Sequence, residues 1–159
     1  MRIRDFERED RWVVVAIQAK SPETAQWLEA DYVRLSQDPG GLVLVAELET
    51  TMPPKVVGFA AFHRVINEAE LRNMAVDPEH RDQGAGKMLL DEGRTRLLEA
   101  GAKRVFLEVR PSNKAALGLY YSVGFGLYSN RKDYYRDPQE DAYILCMELF
   151  PPTVIPTMR

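Results

Sequence analysis

The stretch Leu71-Arg72-Asn73-Met74-Ala75-Val76-Asp77-Pro78, followed two residues later by Arg81-Asp82-Gln83-Gly84-Ala85-Gly86-Lys87, decides how this chain is read. Leu71 to Val76 is an apolar, strand-like run, and Asp77-Pro78 stops it. Beyond Gly86 the pattern turns helical, with Leu89, Leu90, Leu97 and Leu98 apolar and Asp91, Glu92, Arg94 and Arg96 polar. Glycines at a strand-to-helix joint let backbone approach a ligand that a Cβ would hold away. The first N–H groups of a helix lack internal partners and can point at an anion. The loop therefore reads as a phosphate cradle, although the same glycines also serve plain turn geometry.

Outward from that joint the chain alternates strands and helices. Arg2 to Phe6 reads as a strand, and Glu9 or Asp10 caps a helix carrying Trp12, Val13 and Ile17. Ser21-Pro22-Glu23 predicts the start of a second helix, with Trp27, Leu28, Tyr32 and Leu35 on its apolar face and Asp38-Pro39-Gly40-Gly41 ending it. Strands follow at Leu42 to Leu48, Val56 to Val65 and Glu68 to Val76. The helix after the loop runs to about Glu99 and ends at Gly101. Arg104 to Arg110 is a strand, Ser112-Asn113 caps a helix closing on Gly124, and strands at Leu127 to Tyr135 and Ala142 to Phe150 complete the order. This is a mixed α/β sheet in which crossover helices join parallel neighbours. One domain over residues 1–150 is expected, with 151–159, which holds three prolines and no periodicity, as a loosely held tail.

Composition narrows the function classes. With 159 residues, 45% hydrophobic and 28% charged, the chain has the balance of one globular domain. A net charge of −3 argues against broad nucleic-acid binding. The single Cys146 excludes an internal disulfide and lies in an apolar run, so a buried inert thiol is expected. His63 and His80 lack metal-ligand spacing, and no metal is expected. No segment is apolar and long enough to span a bilayer, and Met1 to Asp5 lacks a signal-peptide core, so a cytoplasmic location is the expectation.

The strand end Asn73 to Pro78 with Arg-x-x-Gly-x-Gly resembles the acetyl-CoA loop of the GNAT family, the GCN5-related N-acetyltransferases. Leu107 to Asn113 and Leu119-Tyr120-x-x-x-Gly124-Phe125 are similar to that family's second half. Arg131 to Tyr135 and Glu140 to Ala142 are similar to its RimI type, the ribosomal-protein-alanine N-acetyltransferases. The N-terminal half departs: Lys20-Ser21-Pro22-Glu23 stands where that type carries Phe-Pro-Trp-Ser, a segment that shapes the acceptor side. The resemblance implies a seven-stranded, mostly antiparallel sheet with a central parallel pair splayed for acetyl-CoA, flanked by four helices. It also implies direct acetyl transfer to an amine. The acceptor would be a protein N-terminus such as that of a ribosomal protein, with a small amine (a polyamine or aminoglycoside) or non-catalytic acyl-CoA binding as alternatives. An α-amine, with a pKa of about 7.7–8.0, is far more often neutral near pH 7 than a lysine at about 10.4, which favours an N-terminus. Monomer and homodimer both remain open.

By the same resemblance, the amides of Asp82, Gln83, Gly84, Ala85, Gly86 and Lys87 would hold the pyrophosphate, with charge from Arg81 and Lys87. Met74, Ala75 and Val76 would lie beside the pantetheine, and Asn113 would contact the cofactor besides capping its helix. Glu108 would be the general base; read from the residues alone, it is equally an ion-pair partner of Arg110 or Arg72. Tyr120, selected over Tyr121 by the Tyr-x-x-x-Gly-Phe register, would protonate the leaving thiolate. Tyr134 and Tyr135 would close over the acceptor or form a plain strand-edge pair. Glu68 or Glu70 would meet the positive amine or be solvated strand-end charges.

Overall fold

The computed structural model describes residues 1–151, so the expected tail lies, apart from Pro151, outside the described residues. The elements are β1 (Arg2–Asp5), α1 (Arg11–Ala19), α2 (Glu29–Gln37), β2 (Gly41–Leu48), β3 (Lys55–Val65), β4 (Glu68–Val76), α3 (Ala85–Glu99), β5 (Arg104–Val109), α4 (Lys114–Val123), β6 (Gly126–Tyr135) and β7 (Glu140–Glu148). The strands form one sheet in the order β1-β2-β3-β4-β5-β7-β6. Every pairing is antiparallel except β4 with β5. One crossover, through α3, therefore joins parallel neighbours as expected. The second, through α4, does not: β7 inserts between β5 and β6, and its apolar Leu145 and Met147 are buried there.

Two apolar layers cover the sheet. Leu89, Leu90 and Leu97 of α3 and Leu117 and Val123 of α4 pack on one face with Val105, Leu107 and Val109 of β5. Val14 and Ile17 of α1 and Tyr32 and Leu35 of α2 pack on the other, against Val43, Val45, Phe59 and Ala61. That second cluster contains no residue of β5, β6 or β7, so the α1–α2 face stays open beside Glu108. Trp12 is exposed, and Val14 and Ile17 rather than Trp12 carry the inward face of α1.

The predicted helix from Ser21 does not form. Helix α2 begins at Glu29, Leu28 is exposed, and residues 21–28 run as a non-helical strap. The cause is tertiary. Asn73 Nδ2 donates to the Ala25 carbonyl at 2.9 Å, and Gln18 Nε2 donates to that of Trp27 at 2.8 Å. A helix would have needed those carbonyls for itself.

Candidate active site

Strands β4 and β5 pair only at Glu68–Arg104, Ala69–Val105 and Glu70–Phe106. Beyond Glu70 they part, while β4 stays paired with β3 as far as Val76. A cleft of about 860 Å³ opens at the split. Its walls include Met74, Ala75 and Val76 on one side and Leu107, Glu108 and Val109 on the other. The β4 edge facing the cleft is thus unpaired strand backbone, ready to accept an extended ligand.

The head of α3 closes one end. Gly84 precedes it with φ +87°, a left-handed conformation, and a Cβ built there meets nothing within 4 Å. No side chain caps this helix, and among the described residues the amides of Gln83 to Lys87 have no hydrogen-bond partner. Helix α4 differs, because Asn113 Oδ1 accepts from the Ala116 N–H at 3.2 Å. The open end of α3 is therefore a set of free donors beside a positive dipole end. Gly86 has another local reason: a Cβ there would meet Leu119 Cδ2 of α4 at 2.9 Å, so it serves helix packing. Gln83 does not line the cleft, whereas Arg81, Asp82, Gly84, Ala85, Gly86 and Lys87 do. The Arg81 guanidinium turns to the strap, at 3.1 Å from Ser21 Oγ and 3.8 Å from Glu23.

Glu108 stands on β5 on the face opposite buried Leu107 and Val109, and it is open to the cleft. Neither Arg110 nor Arg72 is its partner; Arg131 of β6 approaches it at 3.9 Å. Arg110 instead donates to the carbonyls of Pro138 at 2.8 Å and Arg136 at 3.2 Å, and stacks over Tyr135 at 4.3 Å. Glu140 accepts from the Ser112 N–H at 2.7 Å and its hydroxyl at 2.8 Å. Together these contacts hold the β6–β7 hairpin against the β5–α4 joint and place Tyr135 in the cleft wall. Three phenols gather here. Hydrogen bonding and the charge of Glu108 raise the pKa of Tyr134. Burial, then the Glu108 charge, pushes Tyr135 up to about 12, and burial, then Tyr135, pushes Tyr120 up to about 12. Both stay protonated at neutral pH, so both can donate.

Glu70 lines the cleft, but Glu68 sits at the paired end of β4, outside it. Cys146 is only half-buried, and burial raises its pKa, so it is mostly thiol at neutral pH. Asp77, Glu79 and His80 bring candidate ligand atoms within 4.8 Å of one another. Asp77 already faces the Lys20 ammonium at 3.4 Å. Sequence reasoning missed the strap's anchors, Gln18, Tyr32 and Asn73, and the roles of Arg110 and Arg131. A polar residue at an inward strand position was the available signal for Asn73.

The Acetyltransferase (GNAT) family profile matches residues 8–125. The chain belongs to this family. Its relatives include the ribosomal protein bS18-alanine N-acetyltransferase of Escherichia coli, 40% identical over 103 residues, covering 64% of this chain and 70% of the relative. A Bacillus subtilis protein provisionally described in the same words is 33% identical over 143 residues, 90% of this chain and 92% of its own. The crystal structure of the Escherichia coli ribosomal-protein-alanine N-acetyltransferase superposes with a TM-score of 0.81 at 30% identity, covering 99% of both chains. This GNAT chain is an N-acetyltransferase that uses acetyl-CoA, and its β4–β5 split is the expected splayed parallel pair. No described helix is long and apolar enough to cross a membrane.

Proposed function

We propose that the chain acetylates the N-terminal α-amine of a protein, a ribosomal protein being the leading candidate, in this cleft. The observation that carries the reading is the juxtaposition of Glu108, Tyr120 and Tyr135 around the split between β4 and β5. The residues present fit acetyl-CoA. Free amides from Gln83 to Lys87 and the open space at Gly84 suit a pyrophosphate, with Lys87 beside it. Met74 to Val76 offer their unpaired edge to the pantetheine, and Asn113 stands at the head of α4 on the same cleft.

Bound acetyl-CoA supplies a thioester to the acceptor. Glu108 Oε1 or Oε2 takes the proton from the amine nitrogen, directly or through water, as the N–C bond forms. The Tyr120 phenol gives its proton to the sulfur as the C–S bond breaks; solvent returns one to the phenol and takes one from Glu108, which restores both groups. No covalent enzyme intermediate is required. Glu70 and Glu108 make the acceptor side acidic, which suits an incoming ammonium, and Tyr134 and Tyr135 flank it. Support for a protein N-terminus comes from the relatives' described substrate and from the favourable α-amine pKa. The test is mass spectrometry of a peptide with a free N-terminal alanine, incubated with enzyme and acetyl-CoA. A gain of one acetyl group at that amine is expected. No gain, with rapid acetylation of a polyamine or aminoglycoside, would reassign the acceptor.

A further inference from the structure

A bulge in β4 sets up a second polar group opposite Glu108. Against β3, Leu71 pairs with Phe62 and Asn73 with Ala61, so Arg72 is an extra residue. Its insertion switches the faces: Ala69 and Leu71 point to the α3–α4 core, whereas Ala75 joins the α1–α2 core. Glu70 is level with Phe106 of β5. Carried on across the split with the bulge counted, that register sets Leu71 level with Leu107, on the α3–α4 face, and Asn73 level with Glu108, on the α1–α2 face. Without the extra residue, Arg72 would occupy that level.

The amide of Asn73 has one orientation. Its Nδ2 lies 2.9 Å from the Ala25 carbonyl, which can only accept. It also lies 2.9 Å from the Tyr32 hydroxyl, which spends its proton on Gln18 Oε1 and so accepts. Gln18 is fixed in turn, because its Nε2 donates to the Trp27 carbonyl at 2.8 Å. Nδ2 is thus committed to the protein interior. Oδ1 makes no hydrogen bond among the described residues, and Asn73 lines the cleft.

We infer that Asn73 is an acceptor-binding residue whose Oδ1 takes one N–H of the incoming primary amine while Glu108 takes the other. This rests on the amine-acetylation reading above. A neutral primary amine has two N–H groups and one lone pair. With both N–H groups held from opposite walls, the lone pair is left to face the thioester carbon. A secondary amine has a single N–H and cannot satisfy both walls; the one left unpaired in a desolvated site is penalised. The site therefore selects primary over N-methylated α-amines. The Gln18–Tyr32–Asn73 cluster acts as the clamp that stops the amide from flipping.

The experiment compares an N-terminal alanine peptide with its N-methylalanine twin, as a ratio of kcat/KM, in wild type, Asn73→Leu, Asn73→Ala and Tyr32→Phe. Differences in basicity between the peptides cancel when enzymes are compared. The wild type is expected to favour alanine by at least about tenfold. Asn73→Leu fills similar space without an oxygen and should bring the ratio down by about tenfold, with the KM for acetyl-CoA within about twofold. Asn73→Ala should do the same and serves if the leucine variant fails to fold. Tyr32→Phe removes one acceptor of the clamp, but the Ala25 carbonyl and Gln18 Oε1 still take Nδ2 and keep Oδ1 toward the cleft, so its rates should fall while its ratio stays within about threefold of wild type. A ratio unchanged in both Asn73 variants, with both rates falling together, would reduce Asn73 to a structural anchor. A wild type that acetylates neither peptide would overturn the α-amine reading itself and this inference with it.

Discussion

At the scale of single residues, Glu108 is a carboxylate in mid-strand that the fold leaves open to a cleft instead of neutralising. Arg131 at 3.9 Å is too distant and exposed to hold it in a tight pair. Glu108→Gln keeps the shape and removes the base, so kcat should fall about 10²-fold near neutral pH. The deficit should shrink as pH rises above about 8, where hydroxide from solvent increasingly takes the proton that Glu108 would have taken. A pH series of initial rates reads both effects, and an unchanged neutral rate would remove Glu108 from the chemistry. Tyr120 is the complementary case. Its phenol, pushed up to about 12 by burial, keeps its proton at working pH. Tyr120→Phe should slow turnover by about 10-fold or more while leaving calorimetric affinity for acetyl-CoA close to wild type. Lost affinity with normal turnover at saturation would instead assign Tyr120 to packing, where its ring already meets Phe125 at 5.7 Å.

At the scale of elements, the two loop glycines separate binding from packing. Gly84 needs its left-handed φ and faces open space, so Gly84→Val strains the turn and places branched carbon over the free amides. Its affinity for CoA should drop at least about tenfold by calorimetry, with stability lowered by about 1–2 kcal/mol. Gly86→Ala crowds the flexible end of Leu119 and reaches that of Met74 only at an ordinary 3.9 Å, and the alanine's better helix propensity, worth about 1 kcal/mol, opposes the crowding. Its affinity should stay near wild type. This contrast was not legible in the sequence, where both glycines read alike, because which way a missing Cβ points depends on the partner helix. Strand β4, by comparison, was legible to the residue, since the apolar run and Asp77-Pro78 are local signals. The bulge at Arg72 was not: an extra residue exists only relative to β3. The strap failed for the same kind of reason. Ser21-Pro22-Glu23 is a sound local helix start, overruled by amides that arrive from Gln18 and from Asn73. That Glu108 and Tyr120 line the cleft agrees with strand alternation and motif register, their roles having come from the family resemblance alone, whereas Arg110 was paired with the wrong carboxylate because its hairpin partners lie 26 and 28 residues away.

At the scale of the whole molecule, the split that makes the site also sets its alkaline limit. The two halves of the sheet meet through three β4–β5 register pairs, and the tyrosines around the gap lie where those halves diverge. Tyr120 and Tyr135 are pushed up to about 12 from an ordinary 10.0, by burial first and then by neighbouring phenol or carboxylate charge. Each therefore holds its proton more tightly folded than unfolded. Their contribution to stability is fully present below pH 10 and is lost as pH climbs through the folded value near 12, where the unfolded chain gains more from ionising. The Tm of the free protein should consequently fall steeply above pH 10. In a Tyr120→Phe, Tyr135→Phe double variant no phenol remains to ionise at these two positions, so the fall between pH 10 and 12 should be shallower, even if Tm at pH 7 is lower. Parallel Tm-against-pH curves for the two proteins would mean that neither phenol is held at a raised pKa. Saturating CoA at about 100 times its Kd should add about 2.7 kcal/mol to wild type at pH 8 and raise Tm by several degrees. At the same CoA concentration that gain should fall to about 1.4 kcal/mol or less in Gly84→Val, whose Kd is at least about tenfold weaker, which ties thermal protection to the free amides at the head of α3 and not to the tyrosines across the gap.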